Sequence, residues 1–131
     1  MQNHRGCILC VDGQPGICLL FATLLNNMGF EVETAHSSIE GLAKAQAKRF
    51  DLCIINGDLH HDSALDMYHQ IRANNLLFPI IFTSPDDLPK EIVETIYTGE
   101  NHFLSLPFEV DVLEALALKL AGSSLMRIAG A

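Results

Sequence analysis

Three polar residues each close an apolar run of the kind that forms a buried strand. Asp12 ends the segment CILCVD, Asn56 ends DLCIIN and Ser84 ends PIIFTS. A carboxylate can attack phosphorus and form an acyl phosphate, whereas the delocalised lone pair of an amide makes it no competent nucleophile. We therefore predict that the side chain at position 56 can form hydrogen bonds but lacks the charge and the reactivity of an acid.

Other groups with reactive side chains follow Asn56 directly. Asp58 could substitute for an acid at position 56, and His60, His61 and Asp62 could ligate a metal ion. Adjacent histidines seldom converge on one ion without a third ligand at helical or cross-strand spacing. Asp58 lies two positions beyond Asn56 in a turning loop, so its side chain points in another direction than that of residue 56. We therefore expect these residues to be solvated loop residues.

A hydrolytic site built on Ser84, Asp12 and a histidine lacks the expected sequence signature. No G-x-S-x-G segment places the serine at a strained strand-to-helix turn. Neither a G-x-G-x-x-G nor a P-loop segment is present to hold phosphates. The sequence therefore predicts a domain that is not an enzyme.

Five apolar segments alternate with five segments of helical periodicity, and these elements must position the polar residues. We expect strands at residues 7–12, 30–34, 52–55, 79–84 and 102–105. The second helix is capped by Ser37 or Ser38 and carries Ile39 and Leu42. Three more are expected, one at 63–73, one capped by Asp86 or Asp87, and one at 109–121 with Val110 facing inward. The first helix carries an apolar stripe formed by Ile17, Leu20, Phe21, Leu24, Leu25 and Met28. Units of about 20–25 residues need right-handed crossovers, so the pattern predicts a doubly wound α/β domain with a five-stranded parallel sheet and helices on both faces.

Length, charge and apolar content restrict the class of protein. The 131 residues are 49% hydrophobic, which predicts one domain at 1–121 followed by a tail or the start of a linker at 122–131. The formal charge of −8 argues against nucleic-acid binding by this domain. We find no 18-residue apolar run and no leader pattern, so we expect a cytoplasmic protein that does not enter a membrane. The four cysteines lie in apolar segments and are expected to be buried thiols.

We expect the functional residues at the carboxyl ends of the predicted strands. In open parallel sheets, ligands bind outside these ends, where the strand order reverses. The residues at those ends are Asp12, Gly13, Asn56, Ser84 and Leu106.

The chain resembles the receiver domain of two-component response regulators, a CheY-like, flavodoxin-like family, from about residue 7 to residue 121. The resemblance lies in the order and spacing of ILCVDGQP, GFEVETAHSSIEGL, FDLCIINGDLHHDSALDM, PIIFTSPDD and HFLSLPF. It implies the strand order 2-1-3-4-5. It also implies a pocket in which an aspartate ending strand three takes a phosphoryl group beside Mg²⁺, which an acidic pair ending strand one holds.

Carried over by position, the family's pocket is degenerate in this chain. The acceptor falls on Asn56, the acidic pair on Asp12 and Gly13, the strand-four hydroxyl on Ser84, and the lysine on Leu106. Acceptor, second acid and lysine are lost together. We therefore expect a phosphorylation-independent pseudo-receiver with weak or absent Mg²⁺ binding and no metal site, in which Asp12 is the one retained candidate ligand.

The resemblance also implies how such a domain communicates with partners. Ser84 and Phe103 occupy the family's switch positions, and the bond before Pro107 is one that the family usually holds cis. The surface of helix four, strand five and helix five commonly serves dimerisation or docking, and Val112 and Leu118 fall outside the inward stripe of helix five. We expect a protein partner or a homodimer through this surface.

Two alternatives stay open. A conventional phospho-accepting receiver could use a displaced acid such as Asp58. A small flavodoxin-like enzyme or ligand binder is the second, and it would show a cofactor absorbance or substrate turnover.

Overall fold

A computed structural model of the chain has five strands alternating with five helices. It describes residues 5–57, 59, 61–84, 90–97 and 101–129, except for the side chains of residues 61, 62, 97 and 123–129. The strands are β1 (Cys7–Val11), β2 (Glu31–Ala35), β3 (Leu52–Asn56), β4 (Ile80–Ser84) and β5 (Asn101–Ser105). The helices are α1 (Pro15–Asn27), α2 (Ser38–Ala47), α3 (His61–Ala73), α4 (Lys90–Tyr97) and α5 (Val110–Ala129).

The strands form one parallel sheet in the order β2-β1-β3-β4-β5, which confirms the predicted fold class and strand order. β1 and β3 are neighbours, with Val11 opposite Ile55. The residues that follow these two positions, Asp12 and Asn56, are therefore brought side by side at the carboxyl edge of the sheet.

Apolar side chains cover both faces of the sheet, as expected for strands buried on both sides. Met67 and Ile71 of α3 and Ile92 of α4 belong to the cluster on one face. Phe21 of α1 and Leu113 of α5 belong to the cluster on the other. The helices on the second face, α1 and α5, flank the sheet edge where Asp12 lies.

The inward face of α2 differs from the prediction. Ser37 caps the helix as expected, accepting a hydrogen bond from the Glu40 N–H at 3.1 Å. Ile39, however, is 83% exposed. The helix packs so closely through Gly41 that an added Cβ would lie 2.8 Å from the Met67 Cε atom and 2.9 Å from Val11 Cγ2. This close approach selects the face with the small residues and turns Ile39 to solvent.

The bounds of two helices also differ from the prediction. α3 begins at His61 rather than near residue 63, and α5 continues to Ala129 instead of ending at 121. A single glycine in a helix costs about 1 kcal/mol relative to alanine, so Gly122 does not end α5. Val110, expected to face inward, is 48% exposed at the first turn of α5. The predicted caps Asp86 and Asp87 lie outside the described residues.

A buried aspartate closes the amino end of the sheet. Asp51 immediately precedes β3 and is 6% exposed. Its Oδ2 accepts a hydrogen bond from the Cys7 N–H at 2.9 Å, and its Oδ1 lies 3.6 Å from Arg49 Nη2. The side chain therefore joins β3 to the start of β1 and has a cation beside it.

Arg72 holds the connection between α3 and β4. Its Nη1 donates to the carbonyl oxygens of Leu76 at 2.7 Å and Phe78 at 2.9 Å, and its Nη2 donates to Asn101 Oδ1 at 3.3 Å. Its guanidinium also lies over the Tyr68 ring, 5.3 Å from the centroid. The Arg72 side chain thus links the amino ends of β4 and β5 to α3.

All four cysteines are buried and unpaired, as predicted. Burial raises the pKa of the Cys53 thiol on β3 and of the Cys7 thiol on β1. The pKa of Cys10 lies well above its usual range because its thiol shares a hydrogen bond with Cys18 and because it is buried. The hydrogen bond with Cys10 lowers the pKa of the Cys18 thiol instead. The thiols of Cys7, Cys10 and Cys53 are therefore protonated while the fold is closed.

None of the described helices is both long and apolar enough to cross a membrane.

Candidate functional site at the carboxyl edge of the sheet

Asp12 and Asn56 form a hydrogen-bonded pair at the carboxyl ends of β1 and β3. Asn56 Nδ2 lies 3.1 Å from Asp12 Oδ2. An ionised carboxylate accepts hydrogen bonds and does not donate them, so the amide nitrogen of Asn56 faces Asp12. The group beside Asp12 is consequently a neutral donor.

The backbone that follows each strand fixes the positions of these two side chains. Asp12 Oδ1 accepts a hydrogen bond from the Gln14 N–H at 2.9 Å, two residues ahead, and Gln14 is the N-cap of α1. The Asn56 carbonyl accepts from the Leu59 N–H at 3.1 Å, so the chain turns directly after β3. Asp12 is only 2% exposed, whereas Asn56 is half-buried. The aspartate is therefore held deep and the amide nearer the surface.

Gly13 leaves space where a second acid would stand. A Cβ added there would meet its nearest atom, Leu59 Cδ1, at 3.5 Å, which is ordinary van der Waals contact. Gly13 is itself exposed. Packing with the described residues therefore does not require a glycine at this position, and a carboxylate could be introduced there.

Ser84 and Leu106 meet at the ends of the next two strands. Ser84 is fully buried, and its carbonyl accepts a hydrogen bond from the Leu106 N–H at 2.9 Å. The peptide bond between Leu106 and Pro107 is cis. Leu106 brings an apolar side chain to this edge of the sheet.

Phe103 lies on β5 opposite Phe82 of β4 and is 41% exposed. Its neighbour Leu104 is buried, as the alternation of a strand requires. On the adjoining helix, Val112 and Leu118 are exposed, as their place outside the inward stripe predicted.

The side chains of the rival site lie outside the described residues. Asp58 and His60 are not described, and of His61 and Asp62 only the backbone within α3 is described. Among the residues with described side chains, no three His, Cys, Asp or Glu groups are placed to hold one metal ion.

A groove of about 650 Å³ opens beside the Asp12–Asn56 pair. No motif in the sequence indicates this groove directly. It lies between α1 and the connection from β5 to α5. Its apolar walls come from Ile17, Leu20, Leu24, Leu106, Phe108 and Val110. The helical spacing of its apolar residues predicted the stripe on α1. It did not predict that Phe21 and Leu25 face the core whereas Leu20 faces the groove.

The hydrogen bond from Gln14 to Asp12 was also missed. Its signal is local: an aspartate commonly accepts from the N–H two residues ahead, and Pro15 at the start of α1 marks where the helix begins.

Comparisons with known proteins agree on one kind of domain. A family model described as the response regulator receiver domain matches residues 8–118. The alginate biosynthesis transcriptional regulatory protein AlgB of Pseudomonas putida is 28% identical over 118 residues, which cover 90% of this chain and 26% of AlgB. The alkaline phosphatase synthesis transcriptional regulatory protein PhoP of Bacillus subtilis is 29% identical over 101 residues, covering 77% of this chain and 42% of PhoP.

A solved structure gives the same result. The chemotaxis protein CheY4 of Vibrio cholerae superposes with a TM-score of 0.78 at 27% identity, covering 87% of this chain and 97% of CheY4. The chain thus spans about the whole of CheY4 but only a quarter of AlgB and less than half of PhoP.

Proposed function

We propose that this chain, which belongs to the response regulator receiver domain family of two-component signalling, takes no phosphoryl group at position 56. It works instead through association with a protein partner. It is a regulatory, non-catalytic cytoplasmic domain. The observation that carries the proposal is the hydrogen bond from Asn56 Nδ2 to Asp12 Oδ2 at 3.1 Å.

That hydrogen bond bears directly on the chemistry at position 56. The nitrogen of Asn56 points at Asp12, and an amide cannot form the acyl phosphate that a carboxylate forms. The two side chains are also joined to each other, because the amide donates a hydrogen bond to the carboxylate. Replacing an acid by this amide removes the nucleophile and leaves the hydrogen-bonded edge intact.

The donor set of the described residues does not fit the Mg²⁺ ion that the family implies. Mg²⁺ prefers charged oxygens in near-octahedral geometry and gives up its water reluctantly. Asp12 is the one carboxylate among the described residues that line the groove, both of its oxygens already accept hydrogen bonds, and Gly13 offers no side chain. The ion would lack the second and third carboxylates that offset its dehydration.

Leu106 removes the remaining electrostatic contact. A lysine before the proline would offer a cation to a phosphoryl oxygen, whereas a leucine offers none. Its apolar side chain lies instead on the groove wall. Among the described residues, this edge of the sheet therefore offers no acidic acceptor at position 56, no second carboxylate for a metal ion and no lysine at position 106.

The surface for the partner is the one formed by α4, β5 and α5. Phe103, Val112 and Leu118 are each between 38% and 44% exposed on it, although single exposed apolar residues are common on proteins. A protein partner, or a second copy of the chain, would cover them. The matched transcriptional regulators AlgB and PhoP are longer proteins, and the match covers 26% and 42% of them.

Intact mass spectrometry with acetyl phosphate, with and without Mg²⁺, tests the proposal. We expect no adduct of about 80 Da on the chain as it stands. Gly13→Asp/Asn56→Asp/Leu106→Lys restores all three lost groups, and the space at Gly13 permits the added carboxylate. This triple variant should gain the adduct in the presence of Mg²⁺.

The control for a displaced acceptor is Asp58→Asn. Stoichiometric phosphorylation of the unmodified chain would make the proposal wrong, and its loss in Asp58→Asn would then identify the conventional receiver with Asp58 as acceptor. Cross-linking and sedimentation of Phe103→Ser test the association surface separately, because this substitution leaves the Asp12–Asn56 pair in place.

A further inference from the structure

The groove beside Asp12 combines apolar walls with one buried negative charge. Asp12 lies at its inner end, where only 2% of the residue is exposed. Its described partners, the Asn56 amide and the Gln14 N–H, are both neutral. The ion pairs among the described residues involve Glu33, Glu40, Asp51 and Glu94 and leave Asp12 without a cation.

A buried charge without a counter-charge is costly. Asp12 meets this cost with two hydrogen bonds, but a carboxylate has about four acceptor sites. It therefore retains the capacity to accept a further, charged donor. The family's cation would come from position 106, which in this chain contributes a leucine to the groove wall instead.

The walls of the groove are suited to an apolar body of small-molecule size. The volume of about 650 Å³ lies within the range of small-molecule sites, about 300–1,000 Å³. The Phe108 ring stacks on Phe21 of the core, with centroids 5.1 Å apart and planes 14° apart. Leu20 and Leu24 line the opposite wall of the groove from helix α1. One wall is therefore formed by a helix and the other by a ring that packs on the core.

We propose that this groove binds a small organic cation with an apolar body, whose ammonium group donates hydrogen bonds to the Asp12 carboxylate. The body lies between α1 and the β5–α5 connection, against Leu20, Leu24 and Phe108. The ligand supplies the positive charge that Leu106 does not. This site goes beyond the proposed function, because occupancy of the groove requires neither phosphorylation nor its absence.

Calorimetric titration of the full chain with three matched compounds tests the site. The probes are 4-phenylbutylamine, neutral 4-phenylbutanol and anionic 4-phenylbutanoate. We expect the amine to bind at least about tenfold more tightly than the alcohol, because a charge-assisted hydrogen bond to a buried carboxylate exceeds a neutral one. The carboxylate should bind most weakly. In ¹H–¹⁵N NMR spectra, the amine should shift the amide signals of Asp12, Gln14 and Leu106.

Two variants separate the charge from the fold. Leu106→Lys places a competing cation on the groove wall and should lower the affinity for the amine at least about tenfold. Ile39→Lys adds the same charge at an 83% exposed position outside the groove and should leave the affinity unchanged. Asp12→Asn should remove the preference for the amine over the alcohol, with folding checked by NMR.

Four results would overturn the proposal. Equal affinity for the three compounds would show that Asp12 does not select the ligand, and absence of amine binding would show that the groove is not such a site. If millimolar Mg²⁺ displaced the amine and shifted the Asp12 amide signal as much as the amine does, the groove would be identified as a metal site instead. A dimer that dissociates in Leu20→Asp, without amine binding, would identify a second copy of the chain as the occupant.

Discussion

Asp12 and Asp51 are two buried aspartates at opposite ends of the same sheet, and their surroundings differ. Asp51, at the amino end, accepts a hydrogen bond from the Cys7 N–H and has the guanidinium of Arg49 3.6 Å away. Asp12, at the carboxyl end, accepts hydrogen bonds from two neutral donors and adjoins a groove. Similar burial therefore accompanies different electrostatics. Asp51 joins two strands with a cation beside it, whereas Asp12 lines a groove and has no cation beside it among the described residues.

The largest effect in this comparison is expected at the amino end. Asp51→Ala leaves the buried Cys7 N–H without the acceptor it has now and removes the partner of Arg49. We expect a loss of about 2 kcal/mol in the free energy of unfolding, measured in urea. Asp66→Ala removes the same charge from an exposed position on α3 and should change stability by less than about 0.5 kcal/mol. Equal effects of the two substitutions would contradict a structural role for Asp51.

An intermediate effect is expected from restoring an acid at position 56. Asn56→Asp replaces the donor that lies 3.1 Å from Asp12 Oδ2 by a like charge, so one carboxyl of the pair acquires a raised pKa in the folded state. We expect a loss of about 1–2 kcal/mol at neutral pH.

The sign of its pH dependence follows from linkage. A carboxyl whose pKa is raised by folding costs no stability below its unfolded value of about 4, and the cost grows as pH rises through the folded pKa. In acid, the free energy of unfolding of Asn56→Asp, measured in urea, should therefore approach that of the original chain. Gln46→Glu, an exposed change of amide to acid on α2, should show no such trend. A constant deficit at all pH values would mean that the two carboxyls do not interact.

The smallest effect is expected from removing the charge of Asp12. Asp12→Asn deprives one of two donors of its acceptor but also removes a buried charge that has no cation beside it among the residues that the structure describes. We expect a net change within about 1 kcal/mol of zero. Asp51→Asn, measured alongside, should cost more because it also breaks an ion pair. If Asp12→Asn is the more damaging of the two, the contrast between the two ends is wrong.

Much of the fold followed from periodicity and from turn residues. Alternating apolar runs and helical stripes predicted five strands joined by four crossover helices, and the resemblance implied the strand order that the sheet has. Together they placed Asp12, Asn56 and Ser84 at one edge. What periodicity cannot supply is the distance between elements. The approach of α2 at Gly41, which turns Ile39 outward, depends on Met67 and is not visible in the helix's own sequence.

The site was predicted in its residues but not in its shape. The types and order of residues at positions 12, 13, 56 and 106 predicted a pocket that lacks the family's charges, and this stays a prediction. The direction of the Asn56 amide and the groove walls depend on how α1 packs against the β5–α5 connection. One part of the apolar stripe on α1 packs in the core, and the other part lies at the edge of the core. The first part is apolar because it is buried, and the second lines the groove. Leu20 and Leu25 are therefore indistinguishable in the sequence, although one is 44% exposed and the other fully buried.

The burial of the four cysteines makes the chain its own reporter of opening. Cys7 and Cys10 lie on β1, Cys53 on β3 and Cys18 on α1, so they sample the two central strands and the helix beside the groove. A thiol reagent reaches such a group only during the moments when that part of the fold separates. The alkylation rate at each cysteine therefore measures how often these elements part, without any label being introduced.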